Sequence, residues 1–430
     1  MKNSKYLLLF IAATLISGSC FAQNQVRKKT ITRVFWQDAV SKKLKYADLS
    51  TTDKWHMTTG SVSGLTEETI ESLGPMVQSG KQIALTAMSS KSNLITRINS
   101  GVTEQPHGNH FHWTYAGTPA VDLSIPGSQG KRIKQVGDYA YISNDNGGFS
   151  RIAFKSNNAN PVSWSSNAGG PNASVAVSQN AMGYAIHNGV NGAGKVDIVN
   201  LNDPSGNTMG SFNIPSGNLV AAEANSGKVF FASPENIAWI AADGNTSPTV
   251  IPVSEATGLS IAGPMISEKN WVMFTSNAGS QCALCMINAL AAKPVVQRFP
   301  IEVADGLKLS APKTKLSLGK RFAFVFQQKI DSSADTQELL TIIELDPNRD
   351  QNFNDAVVRA NIPVGSSKVD GERGFHNVCF DDYGRFAIFT NPADGTLAIM
   401  TLNDMQVRAR FQVGGTPDRI VAVGSPEHFH

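Results

Sequence analysis

Apolar residues in this chain fall into short runs, each closed by glycine, asparagine or aspartate. The clearest unit is Gly384-Arg385-Phe386-Ala387-Ile388-Phe389-Thr390, then Asn391-Pro392-Ala393-Asp394-Gly395-Thr396, then Leu397-Ala398-Ile399-Met400-Thr401-Leu402. An Asp-Gly turn between two apolar runs is a strong hairpin signal. Weaker copies begin near Arg33, Gly80, Gly137, Gly183, Gly227, Lys269 and Gly319. Examples are Tyr139-Ala140-Tyr141-Ile142-Ser143 with Ser150-Arg151-Ile152-Ala153-Phe154, and Lys228-Val229-Phe230-Phe231-Ala232 with Ile237-Ala238-Trp239-Ile240.

Hairpins recurring at roughly 40–65 residues match the four-stranded blades of a β-propeller, with each hairpin as the middle pair of a blade. The expectation is an all-β chain folded as a single propeller of eight blades, or seven if the Arg33 hairpin is an appendage. The last strand-like run, Asp418-Arg419-Ile420-Val421-Ala422-Val423, has no hairpin of its own. The hairpin at Arg33-Val34-Phe35-Trp36 and Leu44-Lys45-Tyr46-Ala47 completes its blade from the N-terminal side, so both termini close the ring. Thr66-Glu67-Glu68-Thr69-Ile70-Glu71-Ser72-Leu73 is one of the few short stretches that read as helix.

Composition agrees with a β architecture. Only 17% of residues are charged, and heptad patterns are absent. The formal charge of +3 includes the N-terminal lysines and no long basic run occurs, which argues against nucleic acid. Lys2 and Lys5, the apolar run Tyr6 to Ile16 and the small residues Ser17 to Ala22 have the order of a cleavable signal peptide. Residues 1–22 are therefore expected to be an export signal, and 23–430 the propeller with a mobile C-terminal histidine tail. Lipid attachment at Cys20 is the minor alternative. The predicted location is the periplasm, with no membrane span, because the apolar run is too short for a hydrocarbon core of about 30 Å.

Cys282, Cys285 and Cys379 remain after the signal. Cys282-Ala283-Leu284-Cys285 is followed by Met286, not by the histidine of a haem-attachment motif. In an oxidising compartment a local disulfide is the favoured reading, with packing, redox or metal roles as alternatives. Cys379 reads as a buried apolar residue.

The candidate chemistry lies in the eight histidines, five of them in two tracts. One tract is Pro106-His107-Gly108-Asn109-His110-Phe111-His112-Trp113, and the other is His428-Phe429-His430. Neutral imidazole is a common transition-metal ligand. Residues two apart on a strand point the same way, so His110 and His112 are placed to face one ion, with His107 joining from the turn. A polar loop packed through Phe111 and Trp113 is the bland reading, and a disordered tail is the default for His428 and His430. The topology opens the internal tract on the face where the C-terminal tail leaves the ring. His376 reads as a ligand at the channel mouth or as a core residue, on the opposite face. His56 and His187 read as surface or packing residues.

Three features carry a resemblance. Asn99-Ser100-Gly101-Val102 leads into His107-Gly108-Asn109-His110; Arg373-Gly374-Phe375-His376-Asn377-Val378 precedes a blade; and Gly415-Thr416-Pro417-Asp418-Arg419-Ile420-Val421-Ala422-Val423-Gly424 precedes a histidine-bearing tail. In these the chain resembles the periplasmic zinc metallochaperones of the Azt type. The resemblance implies a propeller that hands zinc to the solute-binding protein of a transporter, and it carries a ligand role to His107, His110 and His376. Asn109 stands where the family has an aspartate, and no histidine occurs near Lys131-Arg132-Ile133 or Ala173-Ser174-Val175, where the family has more.

Two other classes remain at this stage. One is a propeller that binds protein or another ligand without metal. The other is a calcium-dependent propeller hydrolase or lactonase, which needs acidic and amide ligands converging on the axis. No Gly-x-Ser-x-Gly or His-Glu-x-x-His motif is present, so an enzyme is not the expectation.

Overall fold

Strands that are buried on both faces need continuous apolar runs, and this chain builds its hairpins from such runs. Val229, Phe230, Phe231 and Ala232 are all fully buried. Val229 and Phe231 pack toward the preceding sheet, Phe230 and Ala232 toward the following one. The alternation of side chains along a strand thus serves two interfaces at once. The computed structural model describes residues 29–426 except 53, 66–69, 90–92, 109, 128–129, 145–146, 156–161, 165–171, 189–193, 204–207, 215–217, 235, 245, 253–263, 278–280, 332–334 and 372. The predicted signal segment and the tail histidines His428 and His430 lie outside the described residues.

Eight antiparallel sheets stand in a ring, and each predicted hairpin is the middle pair of one of them. The first blade orders Ile70–Ser79, Gln82–Ser89, Asn93–Asn99 and Ala120–Gly127 from the axis outward. The seventh orders Val378–Phe380, Phe386–Asn391, Thr396–Thr401 and Gln406–Gln412. In the sixth, Leu307–Leu309 and Lys313–Ser317 share the inner position and pair with opposite halves of Lys320–Lys329. The eighth blade closes the ring: Pro417–Val423 is its inner strand, and Lys29–Asp38, Lys43–Thr51 and Trp55–Ser61 complete it from the other end of the chain.

Eight apolar clusters fill the eight spaces between neighbouring blades. The one between the seventh and closing blades joins Cys379, Ile388 and Leu397 to Val34, Trp36 and Ile420. Its neighbour joins Phe35 and Val423 of the closing blade to Leu73, Ile83 and Leu85 of the first. The ring has no gap at the seam, and no long sheet edge is left free there. Among the described residues, no helix is long and apolar enough to cross a membrane.

Two expectations fail. The segment read as helix is strand where it is described, since Ile70–Ser79 is the first blade's inner strand. Leu73 pairs with Ala87 and is buried in the seam cluster, and a stretch this short cannot hold a helix against that pairing. Nor do the cysteines form a disulfide: Cys282, Cys285 and Cys379 are free and buried. Residues three apart on an extended chain are roughly 10 Å apart, beyond disulfide reach. Cys282 and Cys285 also point into different inter-blade cores. Burial pushes the Cys285 thiol up to about 12, which keeps it protonated and inert.

Candidate metal centre

The internal histidine tract is a β-ribbon added to the first blade between its third and fourth strands. Thr103–His107 pairs with His110–Thr114 around a turn in which Gly108 has φ 61°, a conformation glycine adopts without strain. The register sets His107 opposite His110, Gln105 opposite His112, Pro106 opposite Phe111 and Glu104 opposite Trp113. Cross-strand partners share a face, so the two faces of the ribbon differ in chemistry.

The aromatic face docks on the ring. Trp113 is buried, and its ring meets Tyr383 of the seventh blade edge-on at 4.9 Å. The Phe111 amide donates to Tyr383 Oη at 3.0 Å. On the other face the rings of His107 and His112 stand 4.9 Å apart at 65°. His107 is exposed and His112 half-buried.

Arg33 of the closing blade holds the foot of the ribbon, although it is only 2% exposed. Its Nη1 donates to the carbonyls of Ser100 and Gly117 at 2.8 and 2.6 Å, and its Nη2 to that of Tyr115 at 2.8 Å. A bidentate pair with Asp48 uses Nε at 2.6 Å and Nη2 at 2.9 Å. A buried guanidinium needs such saturation. The lone arginine inside Thr32-Arg33-Val34-Phe35 was the only sequence signal for this clamp.

The end of the chain reaches the same foot. Tyr115 Oη donates to the carbonyls of Ile31 and Ser425 at 3.2 and 3.3 Å. Gly424 N–H donates to Asp382 Oδ2 at 3.0 Å, and Ser425 Oγ to Asp381 Oδ2. Burial pushes the Asp382 carboxyl up to about 6; Asp381 and Glu104 add to the shift, while Lys315 and the Gly424 amide oppose it. A carboxyl with a raised folded pKa holds a proton that the unfolded chain has released, so its contribution to stability declines as pH rises from 3.8 through about 6. Asp382→Asn is therefore expected to raise the melting temperature at neutral pH and to flatten this dependence. Thermal melts across that range check it, and an unchanged pH slope would refute it.

The structure does not bring His376 to this site. It precedes the seventh blade's inner strand, at the opposite end from the Asp381–Tyr383 turn. Nδ1 lies 2.6 Å from the Thr390 carbonyl and Nε2 3.3 Å from Glu338 Oε2, with the ring stacked on Phe326 at 5.1 Å. Burial would raise the Glu338 carboxyl, but His376 and the Ser367 amide outweigh it and hold it below its ordinary value. His187 is also core: it is fully buried, 3.6 Å from Asp197 Oδ2. His56 is exposed on the closing blade's outer strand.

Among the described residues, one group of three or more histidine, cysteine or acidic side chains has its ligand atoms within 4.8 Å, namely Asp346, Asp350 and Asp355. It sits in the loop between the third and fourth strands of the sixth blade, not on the inner strands that line the axis. It is therefore not the axial cluster that a calcium-dependent hydrolase needs.

No family model matches the chain, and no curated protein matches it. Solved structures do. The crystal structure of AztD from Citrobacter koseri superposes with a TM-score of 0.63 over 93% of this chain and 100% of that one, at 15% identity. This chain folds like AztD. The apo form of AztD from the same organism gives 0.60 at 16% identity, again over 93% and 100% of the two chains. The computationally designed protein Ika8 gives 0.53 at 10% identity over 83% and 91%. The likeness to AztD spans the whole ring at an identity so low that it speaks for the fold and not for the histidines.

Proposed function

We propose that this protein is a periplasmic zinc-binding propeller that presents the ion on the His107–His112 ribbon and passes it to the solute-binding protein of a transporter. One observation carries the proposal: the 4.9 Å spacing of the His107 and His112 rings on a ribbon fixed from its other face. Two imidazoles sharing a tetrahedral zinc with bonds of about 2.0–2.1 Å have ring centres roughly 5 Å apart. His110, the register partner of His107 and two residues before His112, supplies the third imidazole. His428 and His430, which lie outside the described residues, are the further ligands of this reading. His376 keeps a structural part through Glu338 and Thr390.

The chemistry suits delivery. Three imidazoles on an exposed ribbon leave a coordination position open, and a recipient's ligands enter there before the donor's depart. The likeness to AztD supplies the scaffold for this reading and not its ligands. Titrating the metal-free protein with zinc in a calorimeter near neutral pH is expected to show saturable uptake of one ion on the ribbon. Absence of saturable uptake would overturn the proposal.

A further inference from the structure

The axis of the ring carries a second constellation, independent of the histidines. The inner strands enclose a cavity of about 580 Å³, lined by Arg132, Lys134, Glu223, Ser267 and Lys313 among others. It continues past Lys313 to Lys315 and Asp382, toward the face that bears the ribbon. Four cations thus face two carboxylates along one channel.

Lys134 is spent on Glu223, whose other oxygen accepts from Ser267 Oγ at 2.6 Å. Arg132 reaches past the third blade to the Val220 carbonyl at 2.6 Å. Lys313, on the sixth blade, differs. Its Nζ donates to the Val378 carbonyl at 2.9 Å, and no carboxylate among the described residues pairs with it. Lys313 is exposed to solvent and lines both parts of the channel. Burial lowers its pKa, the sign expected for a cation without a countercharge. An excess of cations over carboxylates between low-dielectric walls concentrates anions there.

We propose that the central channel binds a small oxyanion, with Lys313 as the principal countercharge and Arg132 adding to the positive field around it. The ligand class is inorganic phosphate or a short polycarboxylate, since both present oxygens to ammonium and guanidinium donors. No metal enters this site, so its fate is separate from that of the zinc proposal.

The test titrates metal-free, full-length protein in phosphate-free buffer of low ionic strength with sodium phosphate and, separately, with citrate. One of the two is expected to saturate a single site in the micromolar to millimolar range, and its affinity to fall with added sodium chloride. Lys313→Met is expected to weaken that anion at least about tenfold, while Lys313→Arg keeps most of the affinity. Lys155→Met, at an exposed lysine of the second blade, leaves it unchanged. Saturation by phosphate alone or by citrate alone supports the proposal and names the class. Failure of both anions to saturate, or equal affinity in wild type and Lys313→Met, overturns it. Thermal melts confirm that each variant is folded, and Lys313→Arg against wild type keeps the comparison open if Lys313→Met is not.

Discussion

Arg33→Met is expected to destabilise the protein by about 3–5 kcal/mol, the cost of breaking a buried ion pair from one side. The substitution keeps the length and apolar body of the side chain but strands Asp48 and the carbonyls of Ser100, Tyr115 and Gly117. At an unfolding entropy of about 2.1 cal/mol/K per residue, a ring of this size loses roughly 4–6 °C of melting temperature. Arg33→Lys restores little, because one ammonium cannot reproduce a fork that meets four partners. The seam is where the damage concentrates, since Arg33 ties the closing blade to the foot of the first blade's ribbon. A melting temperature within a degree of wild type would show that the clamp is ornamental.

The scaffold was legible because its signal is local and repeated. Eight apolar hairpins, each bracketed by turn residues, mark eight blades, and Asp418–Val423 without a hairpin of its own marks the join to Arg33. What escaped was set by tertiary context. Residues 66–73 read as helix, but Leu73 is claimed by the seam cluster. Cys282 and Cys285 read as a bridge because their spacing is short, but an extended strand sends them into different cores. For the histidines the limit is sharper. His110 and His112 were placed on a strand from their spacing alone, whereas Tyr383, which pins that strand, lies 272 residues from Phe111 and has no local mark in the sequence. His376 was open between ligand and core until Glu338 and Thr390 appeared around it.

The two faces of the ribbon divide the labour. Trp113 packing on Tyr383 and the Arg33 clamp fix the backbone, so bringing His107 and His112 together costs little further ordering when an ion arrives. A free loop with the same histidines would meet that cost on binding and bind more weakly. On the proposed reading, Phe111 and Trp113 alternate with the histidines because one strand docks and displays at once.

Removing either imidazole is expected to weaken zinc binding by more than the 10–100-fold typical of losing an outer-shell partner, because a direct ligand is lost. His107→Ala and His112→Ala should behave alike, and the double variant should retain no more than the weak affinity of scattered surface histidines. His56→Ala, exposed on the closing blade, is expected to bind as wild type does. His376→Ala separates the two histidine environments. It leaves Glu338 buried without its partner, so the melting temperature falls while zinc stoichiometry and affinity stay. Protons compete with zinc for neutral imidazole, so wild-type affinity falls as pH falls, and the slope counts the histidines engaged. The slope should shrink in His107→Ala and His112→Ala and not in His376→Ala. Equal zinc affinity in wild type and the double variant would place the ion elsewhere on the molecule and remove the ribbon from the mechanism.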